Sequence, residues 1–207
     1  MDTYVYIDGF NLYYRALKCD NSLKWLDVAE MCSRLLPAHN ITKIKYFTAR
    51  IKPNPDDPRQ QLRQEIYLRA LRTISNLEII FGKFQVLPKY QRLAKGAGYG
   101  VVRVINTEEK QTDVNIASHL IHDAHCGHFS AAVIVSNDSD LLAPVRIVKD
   151  CIGKTMGVIS PAQIPCRELI KAATFFKAIT AGTLQACQFP SSINDQHGTI
   201  HRPPEWT

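Results

Sequence analysis

An apolar, β-branched run at residues 131–135 (AAVIV) constrains the fold of this chain more than any other feature, and a polar, acidic turn (SNDSD) follows it at 136–140. Runs of this kind are buried on both faces, as in the central strands of parallel sheets. Parallel strands need long crossover connections, which are usually helices. The run therefore favours an α/β architecture with an acidic turn at the end of a central strand.

Strand-like and helix-like segments alternate through most of the chain. Strands are predicted at 4–7, 44–50, 77–81, 131–135 and 156–159. Helices are predicted at 11–17, 27–36, 57–75, 113–125, 141–149 and 167–179. This order predicts a three-layer α/β/α fold with a mostly parallel central sheet of about five strands, in the order 3-2-1-4-5. Residues 82–110 are predicted to be less regular, with a turn-rich tip at 95–100 from which residues 101–105 could return as a strand.

Length and composition favour one domain. The chain has 207 residues, 45% of them apolar, which suffices for one well-buried core. We expect this domain to span residues 1–184, followed by a flexible C-terminal tail at 185–207, which is rich in polar residues and proline. No run approaches the roughly 18 apolar residues of a membrane span, and no signal peptide is evident. A cytoplasmic protein without membrane association is expected.

Cysteine usage indicates the cellular compartment, and net charge indicates the class of partner. The six cysteines show no CxxC pair or regular spacing, which favours free thiols in a reducing compartment. The formal charge of +6 favours a polyanionic partner, because clustered cations release phosphate counterions on binding.

Two predicted strands are each followed by an aspartate. Asp8 follows the first strand and Asp138 the fourth, and in the order 3-2-1-4-5 these strands are neighbours about 5 Å apart, at the switch point where clefts form. Two carboxylates this close share a proton or need a cation, and oxygen ligands suit Mg²⁺ or Mn²⁺. Asp113, before the fourth strand, and Asp140 complete a predicted metal-binding and catalytic set at the same rim.

Polar neighbours extend this set. Asn11 could orient a carboxylate or a metal-bound water, and Ser136 and Ser139 could donate hydrogen bonds to phosphate. A local interpretation exists for each acid, as a turn residue, a helix N-terminal charge or a cap. Their joint placement at one rim favours a functional site.

Three segments resemble the motifs of NYN domains: YIDGFNL at 6–12, KQTDV at 110–114 and VSNDSDL at 135–141. The resemblance covers about residues 4–179. It implies a PIN-like fold and a divalent-metal-dependent ribonuclease, and its functional positions fall on Asp8, Asn11, Asp113 and Asp138 and, secondarily, on Ser136 and Asp140. Asn137 stands where the family commonly has glycine, and asparagine tolerates left-handed backbone angles.

The implied reaction is in-line hydrolysis of RNA by water at Mg²⁺ or Mn²⁺, with 5′-phosphate products. Whether one or two ions bind stays open, as do the RNA sequence, endonucleolytic or exonucleolytic cutting, and the oligomeric state, a homodimer included. The residues predicted to contact RNA are Ser136, Asn137, Ser139, Lys89, Arg92, Lys95, Arg103 and Tyr99. Solvated loop charge explains the cations of 82–110 about as well.

Two further clusters have weaker functional interpretations. The arginines of the 57–75 helix could bind RNA, but an amphipathic helix needs a polar face anyway: Arg59, Arg63, Arg69 and Arg72. The cluster His119, His122, His125, Cys126 and His128 could bind zinc, but it begins inside an ordinary amphipathic helix and has no matching pair elsewhere. Asp123, within it, is expected to have a surface role or a role in orienting the helix.

Two other classes of function compete with the nuclease. A non-catalytic RNA-binding or regulatory protein-interaction module would use the same fold, and the intact set of acids argues against it. A nucleotide-binding enzyme would carry a GxxxxGK[ST] loop or a GxGxxG fingerprint after a strand, and the sequence has neither.

Overall fold

The computed structural model describes residues 1–53, 55–94 and 100–207, without the side chains of residues 105 and 107–109. Its centre is a six-stranded sheet in the order β3-β2-β1-β6-β7-β8, in which every neighbouring pair is parallel. The strands are β1 (Asp2–Asp8), β2 (Asn40–Thr48), β3 (Leu77–Phe81), β6 (Ala131–Val135), β7 (Thr155–Ser160) and β8 (Phe175–Ala178). The predicted α/β class and the relative order of the five predicted strands are confirmed.

Helices flank the sheet. They are α1 (Gly9–Leu12, continued as a π-helix over Tyr13–Leu17), α2 (Val28–Leu35), α3 (Gln60–Leu71), α4 (Thr112–His125), α5 (Leu142–Arg146, continued as a π-helix over Ile147–Cys151), α6 (Arg167–Ala172) and α7 (Ala181–Ala186). Alternate residues of β1 face two hydrophobic clusters, Val5 and Ile7 in one and Tyr6 in the other. The sheet is thus buried on both faces, as its apolar strands predict.

The sixth strand corrects the predicted helix at 167–179. Helix α6 ends at Ala172, and β8 then pairs with β7. Phe175 packs against one hydrophobic cluster and Phe176 against the other, which is the alternation of a strand. The Phe175 ring packs on the backbone of Gly157 in β7. A Cβ at position 157 would lie 2.3 Å from Cζ of Phe175, so only a glycine allows this packing.

Residues 83–92 and 101–110 form an antiparallel hairpin, which corrects the prediction of a less regular segment, whereas the predicted turn-rich tip at 95–100 lies, except for Gly100, outside the described residues. Strands β4 (Lys83–Arg92) and β5 (Val101–Lys110) pair from Lys83 opposite Lys110 to Arg92 opposite Val101. The hairpin is separate from the main sheet, and most of its described side chains are exposed. The ring of Phe84, near its base, contacts Phe10 edge-to-face at 5.3 Å.

The prediction of a flexible tail at 185–207 is wrong, because these residues pack on the domain. They include the antiparallel strands β9 (Ser192–Asp195) and β10 (Gly198–His201). Four apolar side chains of the segment belong to the core: Cys187, Phe189, Ile200 and Trp206. The indole of Trp25 lies against Phe189 and Trp206, and its Nε1 donates to the Pro190 carbonyl at 2.8 Å. The segment is therefore part of the folded domain.

Ion pairs with α3 hold the same segment. Arg69 donates two hydrogen bonds to the Asp195 carboxylate at 2.6 and 2.7 Å. Arg59 and Arg63 pair with Glu205 at 3.1 and 3.5 Å. Three of the four arginines considered for RNA thus bind the C-terminal segment, which corrects that interpretation.

Among the described residues, no helix combines the length and the apolar character that crossing a lipid bilayer requires.

Candidate active site

The carboxyl edge of the sheet holds the first predicted acid in a fixed position. Asp8 is the last residue of β1 and is only 4% exposed. Its carboxylate accepts hydrogen bonds from the Asn11 backbone N–H at 2.9 Å and from Ser136 Oγ at 3.0 Å. Because Ile7 lies in register with Val135, the ends of β1 and β6 bring Asp8 and Ser136 to one edge.

Asparagine side chains tie the neighbouring loops together. The Asn137 backbone N–H donates to Asn11 Oδ1 at 3.0 Å. Asn137 Oδ1 accepts from Ser160 Oγ at 3.0 Å and from the Cys166 N–H at 2.6 Å. The ends of β1, β6 and β7 are therefore linked through two amide side chains.

These contacts revise two of the predicted RNA contacts. Ser136 is fully buried, so its hydroxyl positions Asp8 and is not open to RNA. The Asn137 side chain is engaged with the loop after β7, where it also donates to the Ile164 carbonyl at 3.3 Å. Ser136 therefore positions Asp8, and Asn137 positions the loop after β7.

Three aspartates line one open cleft. Asp8 comes from β1, Asp113 from the first turn of α4, and Asp138 from the turn after β6. Asp138 caps a 3₁₀ turn by accepting the Asp140 backbone N–H at 3.0 Å. Three chain segments distant in sequence thus bring their carboxylates to one place.

The charges at the cleft influence one another. Burial raises the pKa of Asp8 to about 6, hydrogen bonds from Asn11 and Ser136 lower it, and the charges of Asp113 and Asp138 raise it. A cation in the cleft would relieve this repulsion. The donor set, carboxylate oxygens with an amide nearby, suits a hard divalent ion.

The carboxylates are not preassembled around an ion. Within the described part of the chain, no group of three or more His, Cys, Asp or Glu side chains could hold a metal ion as placed. Asp8 and Asp138 are instead held by the hydrogen bonds described above. The chemistry of the donors fits Mg²⁺ or Mn²⁺, and binding would require the carboxylates to move closer together.

The other predicted residues lie around the cleft or away from it. Asp140 and Ser139 are exposed, and neither lines the cleft. Lys89, Arg92 and Arg103 lie exposed on the β4–β5 hairpin. Lys95 and Tyr99 fall outside the described residues.

Sequence reasoning missed three residues that line the cleft beside the acids: Phe10, Tyr14 and Arg15. Arg15 follows Asn11 by four residues, as Tyr14 follows Phe10, which places each pair on one side of a helix. That spacing after the first acidic motif was the available signal. Arg15 brings a cation to an otherwise acidic cleft.

The histidine-rich end of α4 is built around a buried ion pair. Asp123 is 3% exposed and accepts hydrogen bonds from Lys45 Nζ at 2.5 Å and from the Tyr6 hydroxyl at 2.7 Å. His128 Nδ1 lies 3.1 Å from the same carboxylate. Burial raises the pKa of Asp123, but the hydrogen bonds from Lys45, Tyr6 and His128 outweigh it and hold the pKa below the usual value. The surface role considered for Asp123 is wrong, whereas the alternative, a role in orienting the helix, agrees with its contacts to Lys45 of β2 and Tyr6 of β1.

The fold is a doubly wound α/β domain whose ligand cleft lies at the carboxyl ends of its central strands, where the acids are, and its family match assigns it to the PIN-like, nuclease-type folds. The chain belongs to the NYN family, because the NYN domain model matches residues 2–180. The resemblance carried by the three motifs is therefore confirmed.

Two comparisons add to the family assignment. The 6-hydroxy-3-succinoylpyridine 3-monooxygenase HspA of Pseudomonas putida is 30% identical over 236 aligned positions, which cover 99% of this chain and 75% of that protein. The crystal structure of a protein of unknown function from Vibrio parahaemolyticus superposes with a TM-score of 0.53 at 20% identity, over 87% of this chain and 93% of that one. The second likeness supports the fold alone.

Proposed function

We propose that this protein is a divalent-metal-dependent ribonuclease. The observation that carries the proposal is the meeting of Asp8, Asp113 and Asp138, from three separate segments, in one open cleft at the carboxyl edge of the sheet. Keeping such like charges together is costly unless a cation or a shared proton compensates. Membership of a nuclease-type family supports the same function.

Each residue has a proposed task. Asp8, Asp113 and Asp138 would hold Mg²⁺ or Mn²⁺, which when bound supplies an activated water and stabilises the charge on the phosphate. Ser136 and Asn11 orient Asp8 and the loop after β6 through the hydrogen bonds described above. Asp140 stays a candidate fourth ligand.

The cations around the cleft would hold the RNA backbone. Arg15 lines the cleft itself and is placed to contact the phosphate beside the acids. Arg92 and Arg103, with Lys89, extend along the hairpin whose base contacts Phe10 through Phe84. RNA would run from the hairpin into the cleft, held mainly by phosphate contacts.

A ring-hydroxylating monooxygenase is the second candidate. It is favoured by the relative from Pseudomonas putida and by a pocket rich in aromatic side chains that adjoins the acid cleft. Such a reaction inserts one atom of O₂ into the ring and reduces the other to water, with two electrons from an added reductant. A pyridine substrate, NADH and oxygen would test it by the appearance of hydroxylated product.

The decisive experiment compares the full chain with Asp138→Asn on single-stranded and structured RNA, in Mn²⁺, Mg²⁺ or EDTA. Cleavage should require the metal and fall about 100-fold or more in the variant, since changes even around metal ligands cost about 10–100-fold. Asp150→Asn is the matched control, because Asp150 is exposed on the π-helical turn after α5. Circular dichroism should show that both variants are folded.

RNA binding without cleavage in any metal would contradict the ribonuclease and favour the non-catalytic binding module. Cleavage that persists unchanged in Asp138→Asn would point to a contaminating nuclease.

A further inference from the structure

A second pocket adjoins the acid cleft. Its volume is about 160 Å³, similar to that of cavities of about 150 Å³ that bind benzene. Six aromatic side chains line it: Phe10, Tyr13, Tyr14, Tyr46, Tyr67 and Trp206. We call it the aromatic pocket, and its size and walls suit one planar ring.

The aromatic pocket and the acid cleft share a wall. Phe10 and Tyr14 line both, so a ligand that reaches the aspartates passes beside the pocket. Tyr14 is 56% exposed: Lys18 Nζ lies 5.0 Å from its ring centroid and the Phe10 ring packs on it, and the rest of the ring is open for stacking at the rim. A chain of nucleotides with its phosphate at the acids could place a neighbouring base in the pocket.

The Tyr46 hydroxyl points to a polar ligand. Tyr46 is 6% exposed and lines the pocket, and its hydroxyl makes no hydrogen bond to any residue that the structure describes. Among the described residues, the fully buried side-chain atoms without a partner are Gln188 Oε1 and Glu205 Oε2, so the Tyr46 hydroxyl keeps access to the pocket and is available to a ligand. Tyr67, on the same wall, differs because its hydroxyl donates to the Leu26 carbonyl at 2.8 Å.

Gly9 makes this arrangement possible. A Cβ on Gly9 would lie 2.7 Å from Cζ of Tyr46 and 2.8 Å from the Phe47 carbonyl oxygen. The Tyr46 ring therefore packs directly against the start of α1, one residue after Asp8. The ring that offers the free hydroxyl is held beside the acids by backbone packing.

We propose that the aromatic pocket binds one unpaired base of the RNA, next to the phosphate in the acid cleft, with the base stacked on Tyr14 and hydrogen-bonded to Tyr46. This inference rests on the proposed function for the identity of its ligand, and it names unpaired RNA as the substrate class. A base in a duplex could not enter, because its ring edge and faces are covered by pairing and stacking.

The test measures binding without cleavage. An RNA octamer, and octamers abasic at each position in turn, are titrated into the full chain in EDTA and followed by fluorescence anisotropy. One abasic position should weaken binding about tenfold, as expected for a lost base–aromatic stack. Tyr14→Ala should weaken binding of the intact octamer by a similar factor, and Tyr46→Phe about fivefold, as for one lost hydrogen bond.

Two controls separate the pocket from general effects. Tyr4→Phe removes a hydroxyl from a partly buried tyrosine that packs on Phe129, away from the pocket, and should leave binding unchanged. Tyr14→Phe keeps the stacking ring and should bind like the wild type. In Tyr14→Ala and Tyr46→Phe, removing the base at the sensitive position should weaken binding less than it does in the wild type, because the contact with that base is already absent.

Uniform effects of the abasic positions, or tyrosine variants that bind like Tyr4→Phe, would overturn the proposal. The proposal would also be overturned if binding of 6-hydroxypyridine-3-carboxylate depended on Tyr46 while binding of the octamer did not. The pocket would then bind a small ring and not a base of RNA. Position-specific binding without metal-dependent cutting would contradict only the ribonuclease, and cutting without position-specific binding would contradict only the pocket.

Discussion

The Asp8 carboxylate is held where its charge is unfavourable. It is buried at the end of β1 and faces two other aspartates, and both burial and those charges raise its pKa, to about 6. Because this folded-state pKa lies above the ordinary 3.8, stability falls as pH rises from 3.8 to about 6 and is then constant. The position therefore costs stability, and the proposed binding of a metal ion there would offset that cost.

We therefore expect Asp8→Asn to stabilise the metal-free protein at pH 7 by up to about 3 kcal/mol, since one pKa unit corresponds to about 1.4 kcal/mol. The gain should shrink as pH falls below 6 and vanish near pH 4. Urea unfolding in EDTA at several pH values measures it, with Asp150→Asn as the control. Equal stability of Asp8→Asn and wild type at pH 7 would show that the charge is not penalised.

The Lys45–Asp123 pair is a second buried charge system, beneath α4 on the face of the sheet to which Tyr6 points. Their side chains are 9% and 4% exposed. Removing one partner leaves an uncompensated buried charge, whereas replacing both with apolar residues can be neutral. The pair is thus a requirement of the fold and lies apart from the acid cleft.

Asp123→Leu alone should destabilise the protein by roughly 3–5 kcal/mol. Adding Lys45→Met should recover much of that loss. Urea denaturation of the single and double variants measures the difference. A double variant no more stable than Asp123→Leu would indicate that Tyr6, which also donates to this carboxylate, dominates the effect.

At the scale of elements, the β4–β5 hairpin and the acid cleft are joined through the Phe10–Phe84 contact. The hairpin has only two strands, so it cannot bury a core of its own. Its exposed side chains include cations and large apolar groups, among them Tyr90 at 73% exposure. Such a hairpin is suited to binding a partner. Under the proposed function that partner is RNA.

Replacing Arg92 and Arg103 with glutamine should weaken RNA binding and flatten its salt dependence. The slope of log K against log salt concentration should fall by about 1.4, at about 0.7 for each phosphate contact with a single strand. Anisotropy titrations at several salt concentrations measure it. The control variant replaces Lys154 and Lys171, which removes the same charge; an equal change there would mean that net charge alone is responsible.

For the whole molecule, the domain is larger than its family match. The NYN domain model ends at residue 180, yet Phe189, Ile200 and Trp206 lie in the core beyond it. Trp206 also lines the aromatic pocket. The C-terminal segment therefore completes both the core and the wall of a proposed binding site.

A chain truncated after Ala186 should fail to form a stable native state. Losing the buried Phe189 and Trp206 side chains leaves Trp25 and Tyr67 uncovered. Removing one large aromatic side chain from a core lowers the free energy of unfolding by about 3–5 kcal/mol, so losing two approaches the whole stability of a domain. Near-ultraviolet circular dichroism and solubility measure this. A truncated chain with native-like spectra would show that the segment is an accessory.

The sequence by itself determined the features that have a local signal. The β-branched run of β6 and the acids after β1 and β6 could be recognised because strand periodicity and turn chemistry act over a few residues. Alternating strands and helices indicated a doubly wound sheet, and its order 3-2-1-4-5 predicted that Asp8 and Asp138 meet at one rim.

Only the tertiary structure decided the features that depend on distant partners. Strand β8 is stabilised by the packing of Phe175 over Gly157. The C-terminal segment is held by hydrogen bonds from Trp25 and Arg69. The aromatic pocket likewise combines α1, β2, α3 and the C-terminus. Short apolar or charged runs have no periodicity of their own, and their free energy of ordering comes from contacts with residues far away in the sequence.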